Sequence, residues 1–271
     1  MESTLIIIAL ALLGLCFGSF VNAAVWRIKN NKDFVNGRSE CTHCHKQLKW
    51  QDLVPVFSWL FLKGKCRYCK KPISLQYPLV ELAVASIFII SYCAWPSLLI
   101  SVADWSIFSL WLVSIVLLAI LFVYDLRWFL LPDKIMYPLI GIGIVIATIR
   151  IFAADNSALA LLDIAIAVAI LSGLYLALFM VSKGRWIGFG DVKLGLYLGL
   201  ALGSAKNALL CLFLANIIGC LIVVPAMLMG KLRRDSHVPF GPFLIVAFIV
   251  AMLWGDRIVD WYISLSLNAF I

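Results

Sequence analysis

The sequence predicts an all-α polytopic membrane protein of about eight transmembrane helices, with one small soluble insert between the first two. Three observations carry that prediction. Of the 271 residues, 64% are apolar and only 13% are charged, against roughly 25% charged in an ordinary soluble domain. Runs of about twenty apolar residues, the length that crosses a bilayer, recur along the chain. The basic residues cluster between alternate runs instead of spreading evenly. This composition excludes a disordered chain and a soluble globular enzyme, because too few charges remain to cover a water-facing surface.

The runs are Thr4–Trp26, Leu79–Ile100, Trp105–Tyr124, Ile135–Phe152, Ala158–Val181, Val192–Ser204, Asn207–Gly230 and Val238–Trp254. The first has Glu2 and no basic residue ahead of it, and Trp26-Arg27-Ile28-Lys29 behind it. It therefore reads as a membrane helix and not as a cleaved signal peptide. The sixth has only 13 residues, about 20 Å at helical rise, a doubtful length for crossing alone. No repeat of 20–50 residues is visible.

Of the 22 Lys and Arg, eleven lie within 27–71, two in the loop after the third run, three at 183–193 and three at 231–234. The opposite side keeps Arg150, Lys206 and Arg257. The positive-inside rule then places all four basic segments in the cytoplasm and both the N- and C-termini outside. The net charge of +8 is thereby a statement about topology and an anionic lipid bilayer, with no nucleic-acid partner implied. The chain divides into a first transmembrane helix (1–27), a cytoplasmic cysteine-bearing segment (28–77) and a membrane-embedded remainder (78–271).

The cysteine-bearing segment contains Cys41-Thr-His-Cys44 and Cys66-Arg-Tyr-Cys69, a C-x2-C-x21-C-x2-C pattern. Two such knuckles place four thiolates tetrahedrally around Zn2+. Two disulfides would be the alternative, and a cytoplasmic location disfavours them. A segment of about 50 residues builds little core of its own, so a metal staple suits it. Four cysteines close the coordination shell, which makes this zinc structural. His43 and His45 are spare ligands. Cys16, Cys93, Cys211 and Cys220 lie in or beside apolar runs without metal spacing and read as small core residues.

Carboxylates at membrane depth attract functional suspicion. Glu81 opens the second run, where a helix N-terminus suits it. Asp163 lies near the outer end of the fifth run, within reach of the interface. Asp133 precedes the fourth run and is well placed as its N-cap. Asp125 ends the third run, where a carboxylate opposes the helix dipole, so capping does not explain it. Asp191 sits in Gly188-Phe189-Gly190-Asp191-Val192-Lys193 and opens the sixth run, where an N-cap and a functional role are both open. Asp125 and Asp191 fall at one membrane boundary. Two facing carboxylates can share a proton, one activating water and the other protonating a carbonyl oxygen; the topology permits this pairing without requiring it.

At this point the chain resembles the prepilin leader peptidases, membrane-embedded aspartic proteases of the Gly-x-Gly-Asp class. The likeness runs through Gly18-Ser19-Phe20-Val21-Asn22, both cysteine knuckles, Phe57-Ser58-Trp59-Leu60, Gly64-Lys65-Cys66-Arg67 and Ile73 to Glu81. It continues through Asp125, Leu131-Pro132-Asp133, Gly188 to Leu194, and Pro239-Phe240-Gly241-Pro242-Phe243. The resemblance implies an endopeptidase that removes the short basic leader of type IV pilin-like precursors at the cytoplasmic face of the inner membrane. It implies S-adenosylmethionine-dependent methylation of the new N-terminus as well. It makes Asp125 and Asp191 the catalytic pair and 78–271 the protease domain, with Gly188, Gly190 and Lys193 supporting the catalytic loop and Asp133 and Glu81 as secondary candidates. Trp186 and Ile187 stand where the family often has Glu and Met, and Gln51-Asp52-Leu53-Val54 departs from its usual Asn-Ile-Pro version.

Helix dipoles suggest Asp191 as the base and Asp125 as the acid, the pair titrating as a unit. A basic face repels a basic leader, so local acids must meet it; Asp52, Glu40 and Glu81 are the candidates. The competing readings are a zinc-binding transporter, a structural component of a secretion machine, and a methyltransferase without protease activity. No glycine-rich dinucleotide fingerprint is present to show how the last would hold its donor.

Overall fold

In lipid, backbone groups must be satisfied within their own segment, and this chain answers with helices. The computed structural model describes residues 2–33, 37–231 and 238–268. Among these the only β pairing is two isolated bridges. The helices are α1 (Glu2–Lys29), α2 (Phe57–Phe61), α3 (Gln76–Cys93), α4 (Val102–Trp128), α5 (Asp133–Ala153), α6 (Ser157–Val168), α7 (Leu174–Ser182), α8 (Phe189–Leu202), α9 (Ala205–Leu228) and α10 (Gly241–Asn268). A π-helical turn, Ala169–Gly173, joins α6 to α7 in one rod.

Among the described residues, seven rods are long and apolar enough to span a bilayer: α1, α3, α4, α5, α6–α7, α9 and α10. Each matches an expected run. The remaining run is α8, with 14 residues, about 21 Å at helical rise against a hydrocarbon core of roughly 30 Å. Three boundaries move. α3 starts earlier, at Gln76, and stops at Cys93 because Pro96 follows. That places Glu81 a full turn inside the helix, so the expected stabilisation at an N-terminus does not operate. α4 runs on to Trp128, which puts Asp125 inside its last turn. α5 has Pro132 at its N-cap, so Asp133 is the first helical residue and not the cap. Arg233 and Arg234 of the basic segments lie outside the described residues.

The chain divides into two compact units, Met1–Trp95 with Ile115–Ile120, and Pro96–Ser114 with Leu121–Ile271. In the first, α1 packs on α3 through two glycines one helical turn apart. A Cβ on Gly14 would lie 2.5 Å from the Ala85 Cα, and one on Gly18 would lie 2.5 Å from the Glu81 Cα. Small residues at this spacing let membrane helices approach backbone to backbone. Asn22 adds a polar clamp, donating to the Tyr77 carbonyl at 3.1 Å and accepting from Gln76 Nε2 at 3.1 Å. Glu81 is buried, and its carboxylate accepts the Val56 N–H at 2.6 Å. Val56 has φ +62°, an outlier for a β-branched residue. Glu81 thus ties a strained loop of the cysteine segment to α3.

In the second unit α8 is the central rod. Leu194, Tyr197, Leu198 and Ala201 are fully buried. It repeats the glycine device: a Cβ on Gly195 would lie 2.5 Å from the Leu171 carbonyl oxygen, and one on Gly199 2.6 Å from the Val168 Cα. Tyr197 and Trp111 each meet the Phe248 ring, at 5.6 and 5.4 Å. Arg150 is turned inward and donates to the Leu202 carbonyl at the end of α8. Lys206 pairs with Asp256 at 2.8 Å. Two of the three basic residues on the sparse side therefore have local tasks. Asp163 caps α9, accepting the Ala205 N–H at 2.9 Å.

Leu5, Leu12, Leu209, Phe213 and Leu221 are exposed on the outer helix faces, as lipid contact requires. Of the four cysteines expected in the core, only Cys211 is buried; Cys16, Cys93 and Cys220 are exposed. An exposed cysteine is tolerable on a lipid-facing helix because the surrounding solvent is itself apolar.

Gly18→Ala forces the α1 and α3 backbones apart and should cost on the order of 1–3 kcal/mol, read as a lower melting temperature of the detergent-solubilised protein. Gly141→Ala, whose Cβ would meet nothing within 4 Å, should leave the melting temperature unchanged or raise it.

Candidate active site

Asp125 and Asp191 come from different helices and line one cavity of about 620 Å³ in the second unit. They lie within electrostatic reach of each other. Asp125 is 5% exposed, and its carboxylate lies beside the backbone N–H of Gly241, the first residue of α10. Asp191 occupies the first turn of α8, and its carboxylate lies beside the backbone N–H of Gly188, the N-cap of that helix. Each carboxylate therefore faces a helix N-terminus, where unpaired N–H groups and the dipole favour anions. The dipole of α4 does oppose charge on Asp125, but α10 offsets it. With a helix start beside each carboxylate, the helix dipoles alone do not assign base and acid.

The glycines explain this closeness. A Cβ on Gly241 would lie 2.6 Å from the Asp125 Oδ2, so no other residue fits there without moving the carboxylate. A Cβ on Gly188 would lie 3.7 Å from the Asp191 Oδ2, an ordinary contact. Gly190 serves packing: its Cβ would meet Leu131 at 3.1 Å, joining the Gly-x-Gly-Asp loop to Leu131-Pro132-Asp133.

Asp133 and Lys193 also line the cavity and form an ion pair at 2.6 Å. The Lys193 ammonium lies over the rings of Tyr137 and Phe189, at 5.0 and 5.4 Å. Glu81 belongs to the other unit and is not part of this cavity's lining. Two polar lining residues went unremarked in the sequence: Tyr175 and Asn216. For Tyr175 the signal was a phenol within the apolar stretch Leu174-Tyr175-Leu176.

The cysteine segment repeats one small loop. Cys41 and Cys66 each accept an N–H through their carbonyl four residues on, from His45 at 2.9 Å and Lys70 at 3.0 Å. Each also donates its own N–H to the carbonyl five residues on, at Lys46 and Lys71. The second knuckle thus copies the first, 25 residues later, and its length is too short to register as a sequence repeat. The Sγ atoms of Cys41, Cys44, Cys66 and Cys69 all lie within 4.8 Å of one another, and Cys41 and Cys69 are 3.9 Å apart. Zn–S bonds of about 2.3 Å give a tetrahedral edge of about 3.8 Å, so the residues fit the ion. Burial opposes ionising the Cys41 thiol, but N–H groups of Cys44 and His43 outweigh it and bring it down to about 7. A thiol that ionises near neutral pH is a ready metal ligand. His43 and His45 are outside the cluster.

The acids considered for a leader are engaged elsewhere. The Asp52 side chain is 3% exposed, holding Arg67 at 2.6 Å and Tyr68 at 3.4 Å. Glu40 binds Lys32 at 2.5 Å, and that ammonium holds its carboxyl below the usual range.

Comparison with known proteins gives the chain its relatives. The bacterial peptidase A24 N-terminal domain matches residues 12–95 and the type IV leader peptidase family matches residues 112–224. A protein of Bacillus subtilis (strain 168), named prepilin leader peptidase/N-methyltransferase, is 32% identical over 96% of this chain and 98% of its own. One of the same name from Stutzerimonas stutzeri is 31% identical over 94% and 92%. Another, from Aeromonas hydrophila, is 32% identical over 84% and 75%. No solved structure matches. With both domain families matched in order and relatives aligned almost end to end, the chain belongs to the type IV leader peptidase family.

Proposed function

We propose that this multi-pass inner-membrane protein is an aspartic endopeptidase that removes the basic leader of type IV pilin-like precursors, with Asp125 and Asp191 as its catalytic pair. The observation that carries the reading is the pair itself: two carboxylates in one cavity, each beside the backbone N–H of a glycine at a helix start. The distribution of basic segments supports a cavity on the cytoplasmic side with both termini outside, a topology that requires the short α8 to count as a crossing. The zinc segment occupies 28–77 and the protease 78–271.

The chemistry follows from sharing one proton. The carboxylate lacking the proton takes one from water as the water oxygen bonds to the scissile carbonyl carbon. The protonated partner gives its proton to the carbonyl oxygen, forming a gem-diol. On collapse the nitrogen takes a proton from one carboxyl while a gem-diol hydroxyl gives its proton to the other, the C–N bond breaks, the carboxylic acid and the amine depart, and the pair is left with one proton. The apolar side chains of Leu174, Leu178 and Phe240 line the cavity and suit the apolar helix that follows the leader.

Cys41, Cys44, Cys66 and Cys69 would hold Zn2+, which supplies a structural crosslink between the two knuckles and no open coordination position. Methylation of the new amine with S-adenosylmethionine rests on the names of the relatives. The described residues offer no strand-and-glycine cradle of the dinucleotide kind.

In a cleavage assay on a pilin-like precursor, Asp125→Asn and Asp191→Asn should each lower the rate about a thousand-fold or more, while the protein stays folded in the membrane; near-normal cleavage by either variant contradicts the pair. Gly241→Ala should cost on the order of a hundred-fold by displacing the Asp125 carboxylate, and Gly188→Ala no more than a few-fold, compared by initial rates. Metal analysis of the purified protein should find about one zinc per chain, lost when Cys41 and Cys44 are both replaced by Ser.

A further inference from the structure

The π-helical turn and the glycines of α8 together determine where one buried hydroxyl goes. The α6–α7 rod runs antiparallel to α8, and their register can be followed contact by contact. Val168 lies against Gly199, and the Leu171 carbonyl against Gly195. The Ser172 hydroxyl donates to the Val192 carbonyl at 3.0 Å. The next turn of the rod carries Tyr175, and the next residues of α8 in that direction are Asp191 and the glycine loop. A π turn inserts one extra residue and re-aims the side chains beyond it, and such turns recur at functional sites.

Tyr175 is 3% exposed. Among the described residues its Oη has no hydrogen-bond partner. A buried hydroxyl without a partner is costly, so each one in a native protein calls for an explanation. Tyr175 lines the same space as Asp125 and Asp191, and its phenol lies within electrostatic reach of the Cys211 thiol and of the Asp191 carboxylate. Its ring packs edge-on against Phe240 at 5.7 Å. Phe240 directly precedes Gly241, whose N–H lies beside the Asp125 carboxylate. The phenol is thus braced on one side by the segment that positions one aspartate and on the other by the helix that carries its partner.

We propose that the Tyr175 hydroxyl is a third catalytic group, donating a hydrogen bond to the oxygen of the scissile carbonyl as that carbon becomes tetrahedral. The inference rests on the peptidase reading above. No proton is transferred from the phenol: the gem-diol forms and collapses between water, the substrate and the two carboxylates, and Tyr175 O–H donates throughout. Its worth lies in donating more strongly to the tetrahedral oxygen than to the planar carbonyl, without reorganising. A plain core tyrosine would instead lose nothing by removal of its hydroxyl, since phenylalanine fills the same space.

The test uses the full chain in proteoliposomes, with wild type, Tyr175→Phe and Asp191→Asn side by side on one pilin-like precursor. Tyr175→Phe should lower kcat roughly a hundred-fold, keep KM within about two-fold, and melt no earlier than wild type. It should also bind a peptide carrying a tetrahedral hydroxyl in place of the scissile carbonyl more weakly than wild type by a similar factor. Wild-type kcat, or a loss confined to KM, overturns the inference. If Tyr175→Phe folds poorly, 3-fluorotyrosine at the same position keeps the shape and changes the donor; kcat must then change, and an unchanged kcat overturns the inference. Loss of cleavage in Asp191→Asn with none in Tyr175→Phe defeats this inference alone, whereas retained cleavage in Asp191→Asn defeats the peptidase reading beneath it.

Discussion

A carboxylate at a membrane boundary is stable only where the protein replaces the water shell it has lost. In this chain the replacement is backbone. The N–H of Gly188 and the N–H of Gly241 each open a helix, and each is turned toward an aspartate. Two helix N-termini converging on two carboxylates make a site that tolerates one negative charge without a neighbouring cation. That suits a pair obliged to share a proton, since a nearby Lys or Arg would hold both carboxylates ionised. Of the cations lining the cavity, Lys193 is occupied by Asp133 at 2.6 Å and Arg185 donates to the Ser182 carbonyl at 3.2 Å.

Much of the second unit follows from delivering those two helix starts. α8 is too short to depend on lipid for its position, so it is gripped by protein instead. Gly195 and Gly199 let the α6–α7 backbone close on it, and Arg150 takes up the carbonyl at its far end. The π turn in the facing rod accommodates the close approach and turns Tyr175 toward the cavity. In the first unit the same device, Gly14 and Gly18 on α1, brings α3 close enough for Glu81 to reach back to Val56 in the cysteine segment.

The helical architecture and its number of apolar runs were legible because lipid imposes a length on every crossing segment. The cysteine pattern was legible because a tetrahedral ion imposes a spacing, and the four sulfurs do converge. Asp125 stood out because nothing local explained a carboxylate in that place. What was not legible was partnership across distance. The sequence around Asp125 shows only α4 and its unfavourable dipole, while the compensating N–H comes from Gly241, more than a hundred residues on. The dipole argument for separate acid and base roles failed for that reason. Glu81 was misplaced by one turn because α3 starts at Gln76, ahead of the apolar run. Tyr175 was passed over because a tyrosine in an apolar run normally finds a partner, and only the packing shows that this one has none among the described residues.

The central claim is that Asp125 and Asp191 act as one site. The most direct measurement is the cleavage rate of the Asp125→Asn/Asp191→Asn double variant beside the two single variants, with the product followed by mass over long incubation. Groups that act as a unit are strongly non-additive, so the double variant should be no slower than the slower single one. Losses that multiply would show two groups working independently and would contradict the account.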